Sequence, residues 1–134
     1  MLHSSLEPAH SARRPSLEIL QQNLLVQLGE LGHVSDSDFA LGYKAFVGCA
    51  EQAFCTEEEW MEALDLPSLP GHREQHACAL GALHHVHSRV MGGDIVIGRE
   101  VIRRLLPRWF SIHAKTMDEI LATAMRQASN LTLP

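Results

Sequence analysis

The sequence predicts an all-α protein, an antiparallel up-down four-helix bundle. Three observations carry that expectation. Leu17, Leu20, Leu24, Leu25, Leu28 and Leu31 recur at three- and four-residue spacing, the period of a helix with one apolar face. Aromatic residues make up only 5% of the chain and β-branched residues are sparse, a composition that favours helix over sheet. Glycine and proline punctuation divides the chain into four long segments with short connections, which sets neighbouring helices antiparallel. With 134 residues, 46% of them hydrophobic, the chain suits one domain around one core.

Residues 1–14 are polar and aperiodic and are expected to form a flexible N-terminal tail, leaving 15–134 as the bundle. Pro15 suits the first turn of a helix that runs to Leu31 and stops at Gly32. The Ser35-Asp36-Ser37 cluster offers a cap for a second helix reaching about Leu64. Leu66-Pro67-Ser68-Leu69-Pro70 breaks it. A third helix is expected from Pro70 or Gly71 to about Met91, before Gly92-Gly93, and a fourth from about Ile97 to Ala128. Pro107 lies inside the fourth pattern, where it removes a backbone hydrogen bond and predicts a kink.

Bulk charge excludes some functions. The net charge is −5, and basic residues cluster only at Ala12-Arg13-Arg14 and Arg103-Arg104, so nucleic acid is not an expected partner. No apolar run reaches membrane-spanning length, and the N-terminal stretch lacks a signal-peptide core. Cys49, Cys55 and Cys78 are odd in number and form no CxxC, which fits free thiols in a reducing compartment. A cytoplasmic protein is expected.

Of nine histidines, six fall between His72 and His113. His72 and His76 are four apart, a spacing that stacks two imidazoles on one helix face. By itself such a pair is common on helix surfaces. Glu57 precedes it by fifteen positions, at the end of the second helix. His113 and Asp118 lie five apart on the fourth helix. Five α-helical steps leave two side chains about 140° apart, so both point inward only through an irregularity such as a π turn. Three helices thus bring nitrogen and oxygen donors to one level of the bundle, a set suited to iron, manganese or zinc.

The stretch Ala53-Phe54-Cys55-Thr56-Glu57-Glu58-Glu59-Trp60-Met61 resembles the second-helix motif of the hemerythrin-like family, His-Phe-x-x-Glu-Glu-x-x-Met. His72-x3-His76 resembles its third-helix pair. Trp109-Phe110-Ser111-Ile112-His113-x4-Asp118 resembles its Trp-Leu-x-x-His-x4-Asp signature. The resemblance runs from about Leu17 to Met125. It implies one iron on His72, His76 and His113, with Glu57 and Asp118 bridging to a second iron, an oxo or hydroxo bridge, and oxygen at an open coordination position.

The chain departs from that pattern at the second iron. Ala53 stands where the second-helix histidine is expected, and it cannot ligate. The first-helix motif Ile-Asp-x-Gln-His aligns with Leu17-Glu18-Ile19-Leu20-Gln21, placing Gln21 in the histidine slot, or Gln22 or Asn23 if the register slips. Gln21 could offer an amide oxygen. Cys49 could offer a thiolate from one turn before Ala53, or be a small buried hydrophobe. A single metal ion is the first expectation, since three neutral imidazoles and two carboxylates leave one divalent ion neutral overall. The other outcomes are a lopsided pair, its second ion completed by water or Gln21, and a histidine from elsewhere in the chain swinging in. Trp109 is expected on the inner face, with Leu24, Leu25, Leu28 and Met117 lining the cavity. His84, His85 and His87 lie too far along the third helix to join the site. His3, His10 and His33 read as tail or loop residues.

The resemblance implies a non-haem iron protein that binds or senses oxygen, nitric oxide or a related small ligand without catalysing a reaction. The alternatives are an oxidase, peroxidase or nitric-oxide-detoxifying enzyme, and a metal-free interaction bundle.

Overall fold

The computed structural model describes residues 9–132, and those residues form the expected all-α four-helix bundle. Helix α1 covers Ala9–Leu31, α2 Asp36–Ala63, and α3 Leu69–Met91. The last helix, α4, spans 95–132 as five successive segments. Each helix packs against its chain neighbours, and α1 also packs along α4, which closes the bundle. Helix α1 starts at Ala9 instead of Pro15, so part of the segment expected as a tail is helical; alanine and arginine there are strong helix formers. Residues 1–8, where that tail was expected to begin, lie outside the described residues.

The turns follow local chemistry. Gly93 adopts φ 104° between α3 and α4, a left-handed conformation that favours glycine. The Asp94 side chain then accepts the Ile97 amide at 3.2 Å and caps α4. Gly98 lets α4 approach closely, because a Cβ there would lie 2.6 Å from both Phe39 and Val90. Arg99 and Arg103 of α4 both donate to the Gly32 carbonyl, and Arg99 also donates to that of Val34. They thereby satisfy acceptors that the end of α1 leaves unpaired.

Helix α4 is not uniformly α-helical. Val101–Leu105 forms a π turn, in which the Leu106 amide bonds the Val101 carbonyl five residues back. This π turn lies just ahead of Pro107, where the sequence predicts a kink. A second π turn covers Ala114–Asp118.

Two apolar clusters make the core. The larger includes Leu24, Leu28, Phe39, Tyr43, Phe46 and Ala50; the smaller joins Leu17, Met61, Leu69, Leu121 and Met125. Every helix passes from one cluster to the other, and the polar candidates lie on the way. Glu57 falls between Ala53 and Met61, His72 and His76 between Leu69 and Leu83, and His113 and Asp118 between Leu106 and Leu121. The leucine stripe of α1 is buried at Leu17, Leu24, Leu28 and Leu31, but Leu25 is 43% exposed and borders the core instead of filling it.

Candidate metal centre

The five candidate residues come together in the band between the two clusters. His72 and His76 share the inner face of α3, as their four-residue spacing requires. Glu57 enters from α2. His113 and Asp118 enter from α4, and the π turn between them brings both inward across a five-residue step. All five are 3% exposed or less. Five buried ionisable side chains in a chain this size demand compensation, since an uncompensated charge in an apolar interior is very costly.

The donors converge. Glu57 Oε1 lies 3.1 Å from His72 Nε2, 3.0 Å from His76 Nε2 and 3.5 Å from His113 Nε2. His113 Nε2 is 3.2 Å from the Nε2 atoms of both His72 and His76. Asp118 Oδ1 sits 3.2 Å from the Nε2 of both His72 and His113, yet without hydrogen-bond geometry to any partner. Among the described residues, Glu57, His72, His76 and His113 form a group whose potential ligand atoms all lie within 4.8 Å of one another.

The surroundings fix the rings. Phe54 stacks on His76 with centroids 4.0 Å apart, and Trp109 stacks on His113 at 4.5 Å. His76 Nδ1 donates to Glu58 Oε2 at 2.7 Å, and Glu58 is met in turn by Arg73 Nε at 3.3 Å. That carboxylate sets the His76 tautomer with Nε2 facing the centre. His72 and His113 have no such support, since the Nδ1 atom of each is buried without a partner.

On the α1 side the construction changes. Gln21 does reach the site, but its amide nitrogen faces it: Nε2 donates to Asp118 Oδ2 at 2.9 Å. The sequence suggested an amide-oxygen ligand, and what Gln21 supplies is a hydrogen-bond donor that occupies one carboxylate oxygen. Beside it, between α1 and α4, lies a cavity of about 440 Å³ that reaches Glu57 and Asp118. Ala53 is packed in the larger core cluster. Cys49 is exposed, so it is neither a ligand nor the small buried hydrophobe expected. The inner position one step along is taken by Ala50, which is fully buried. His84 pairs with Glu51 at the surface, and His87 stacks on Tyr43. Neither approaches the centre.

Electrostatics show what the cluster asks for. Burial pushes the Glu57 carboxyl upward, but hydrogen bonds from His113, His72 and His76 outweigh it and hold the group well below the usual carboxylate range. Burial disfavours charge on His72 and His113. Asp118 and Glu57 reverse that, raising His72 and bringing His113 up to about 9. A positive charge is therefore wanted at the point where the Nε2 atoms meet. Protons supply it poorly, because two Nε2–H groups 3.2 Å apart oppose each other. A single cation facing three imidazole nitrogens and the two carboxylates satisfies all five at once, and that donor set is one that iron, manganese and zinc accept. The residues present therefore fit a metal ion.

No protein-family model matches the chain, and no solved structure matches it. Among curated proteins it is 35% identical over 100 residues to a bacteriohemerythrin of Ralstonia nicotianae, a match covering 75% of this chain and 72% of that protein.

Proposed function

This chain belongs to the hemerythrin family, and from that premise we propose that it is a non-haem iron protein holding one ion on His72, His76, His113, Glu57 and Asp118, where it binds or senses oxygen, nitric oxide or a related small ligand. The observation that carries this reading is the convergence of three Nε2 atoms on Glu57 Oε1 within 3.5 Å, in a buried band that is otherwise apolar. Zinc or manganese would satisfy the same donors, and iron is the metal the family favours.

Each residue has a task. His72, His76 and His113 present neutral nitrogen. Glu57 and Asp118 supply two negative charges, so a divalent ion leaves the site neutral. Glu58 holds the His76 ring. Phe54 and Trp109 cover the imidazoles with apolar faces and limit water. Gln21 keeps Asp118 Oδ2 hydrogen-bonded on the α1 side, which favours one ion over two. Bound iron would supply a Lewis acid and a one-electron change of oxidation state. Among the described residues, no acid, base or nucleophile is gathered beyond the ligands and their immediate neighbours, which favours binding over turnover. The exposed thiols of Cys49, Cys55 and Cys78 favour a reducing, cytoplasmic setting.

The test is metal analysis of protein purified without a tag. About one iron per chain is expected, and none in the His72→Ala, His76→Ala double variant. Loss of the ion should lower the melting temperature: metal at a hundredfold excess over Kd stabilises by about 2.7 kcal/mol, worth roughly 8–16 °C in a chain this size. Unchanged metal content and melting temperature in the double variant would overturn the reading.

A further inference from the structure

We infer that the chamber between α1 and α4 is a binding site for an uncharged small organic molecule carrying a hydroxyl or N–H donor, seated against Gln21 and Asp118 beside the metal centre. The position beside a metal rests on the function proposed above; the chamber itself does not.

Size is the first argument. The chamber measures about 440 Å³. A water-sized ligand needs roughly 30 Å³, and organic ligands occupy pockets of about 300–1,000 Å³. A diatomic ligand leaves most of this space unused.

The lining is the second. Leu24, Leu25, Pro107 and Phe110 give apolar walls, while Gln21, Glu57 and Asp118 stand at the inner end. Apolar walls with a few convergent polar groups are what orient a small organic guest. One N–H of the Gln21 amide is committed to Asp118, and its carbonyl oxygen offers an acceptor beside it. The carboxylates are acceptors as well. A guest that displaces water from these acceptors replaces its hydrogen bonds only if it brings a donor.

Charge is the third. Among the described residues, the chamber lining includes Glu18, Glu57 and Asp118 and no lysine or arginine. An anion finds no counter-charge there. An ammonium would have to desolvate beside carboxylates that the metal already neutralises. An uncharged donor meets neither cost. A neighbouring cavity of about 300 Å³ shares Glu18, Gln21 and Asp118 and adds Glu119, Lys115 and Arg126, with Arg126 paired to Glu119. Its two cations make it the less unfavourable of the two for an anion, which gives the test an internal control.

Three probes of one shape separate these factors: benzyl alcohol, toluene and benzoate, titrated into the protein loaded with diamagnetic zinc. Calorimetry gives affinity, and the Gln21 side-chain amide resonance reports the place of binding. Benzyl alcohol is expected to bind saturably and shift that resonance, with toluene about tenfold weaker, the effect of one matched hydrogen bond. Benzoate should not compete with benzyl alcohol. Ser111→Trp and Leu25→Trp each place an indole in the chamber from a partly or fully exposed lining position, and each should abolish benzyl alcohol binding at unchanged metal content. The inference is overturned if no probe binds saturably, if toluene matches benzyl alcohol, if benzoate displaces it, or if binding survives in both tryptophan variants. Metal content in the same samples separates the two readings. One ion per chain without benzyl alcohol binding sinks the chamber alone, and protein without metal sinks the metal reading.

Discussion

On the α2, α3 and α4 side of the centre, three imidazoles and Glu57 are 0–2% exposed, two rings are stacked under aromatic side chains, and one is tied through Glu58 to Arg73. On the α1 side, one amide meets Asp118 and the rest is open space. The same bundle supports both. The difference shows that a metal site in a helical bundle is the sum of separable helix contributions. Helix α1 packs through its leucine stripe whatever it brings to the centre.

That contrast can be broken by returning the imidazoles. Gln21→His combined with Ala53→His should raise bound iron from about one ion per chain towards two, the largest effect expected, read by elemental analysis. Ala53 is 3% exposed, so the second substitution overpacks the core by about 1–3 kcal/mol before metal is added. A ratio fixed at one in a folded, iron-saturated double variant would mean that the α1 side lacks more than its ligands.

Acidity sharpens the contrast, because the imidazoles stand on one side of it. His113 is raised from 6.5 to about 9 in the metal-free fold. Its protonation therefore stabilises the metal-free protein fully below about pH 6.5, and the stabilisation is lost as pH climbs through about 9. The shift corresponds to on the order of 3 kcal/mol. Metal needs the same imidazole deprotonated, so the stabilisation that metal adds should grow across that window. Denaturant melts at pH 6 and pH 9.5, with and without iron, should show the gap between the two forms widening with pH. Parallel curves would remove His113 from the ligand set. Glu57 acts at the acid end, where its depressed carboxyl stabilises the fold above the ordinary carboxylate range and ceases to as pH falls through its lowered value.

The smallest effect concerns the support of a single ring. Glu58→Gln removes the charged acceptor from His76 Nδ1 and should weaken metal affinity by about 10–100-fold, with the melting temperature of the metal-free protein nearly unchanged because Glu58 lies near the surface. Competition against a chelator measures it. An affinity within twofold of the parent would show that the stacked Phe54 ring alone fixes His76.

Much of the fold could be read along the sequence because its determinants are local. The three- and four-residue leucine spacing gave α1 its inner face, and Gly32, Pro67 and Gly93 stand where helices end. The five-step interval from His113 to Asp118 demanded an irregular turn, and one is there. What escaped depends on rotation and on distant partners. Cys49 lies four residues before the buried Ala53, and by spacing alone the two share a face. Ala50 claims the inner position instead, and Cys49 turns outward. The orientation of the Gln21 amide is set by Asp118, 97 positions away, and no local pattern encodes it. Leu25 belongs to the stripe by period, yet the chamber beside it leaves nothing to bury it against.

The π turn at Ala114–Asp118 has a consequence for how such a site is gained or lost in evolution. A π turn is one residue inserted into an α-helix, absorbed within a single turn. Beyond it, Leu121 and Met125 still face the core, so the insertion leaves the helix's later register in place. Deleting one residue there would close the π turn to an α turn and change the angle between His113 and Asp118, with Leu121 and Met125 kept on the core face. A lineage can retune or retire its metal chemistry there by indel while the hydrophobic pattern of all four helices stays as it was.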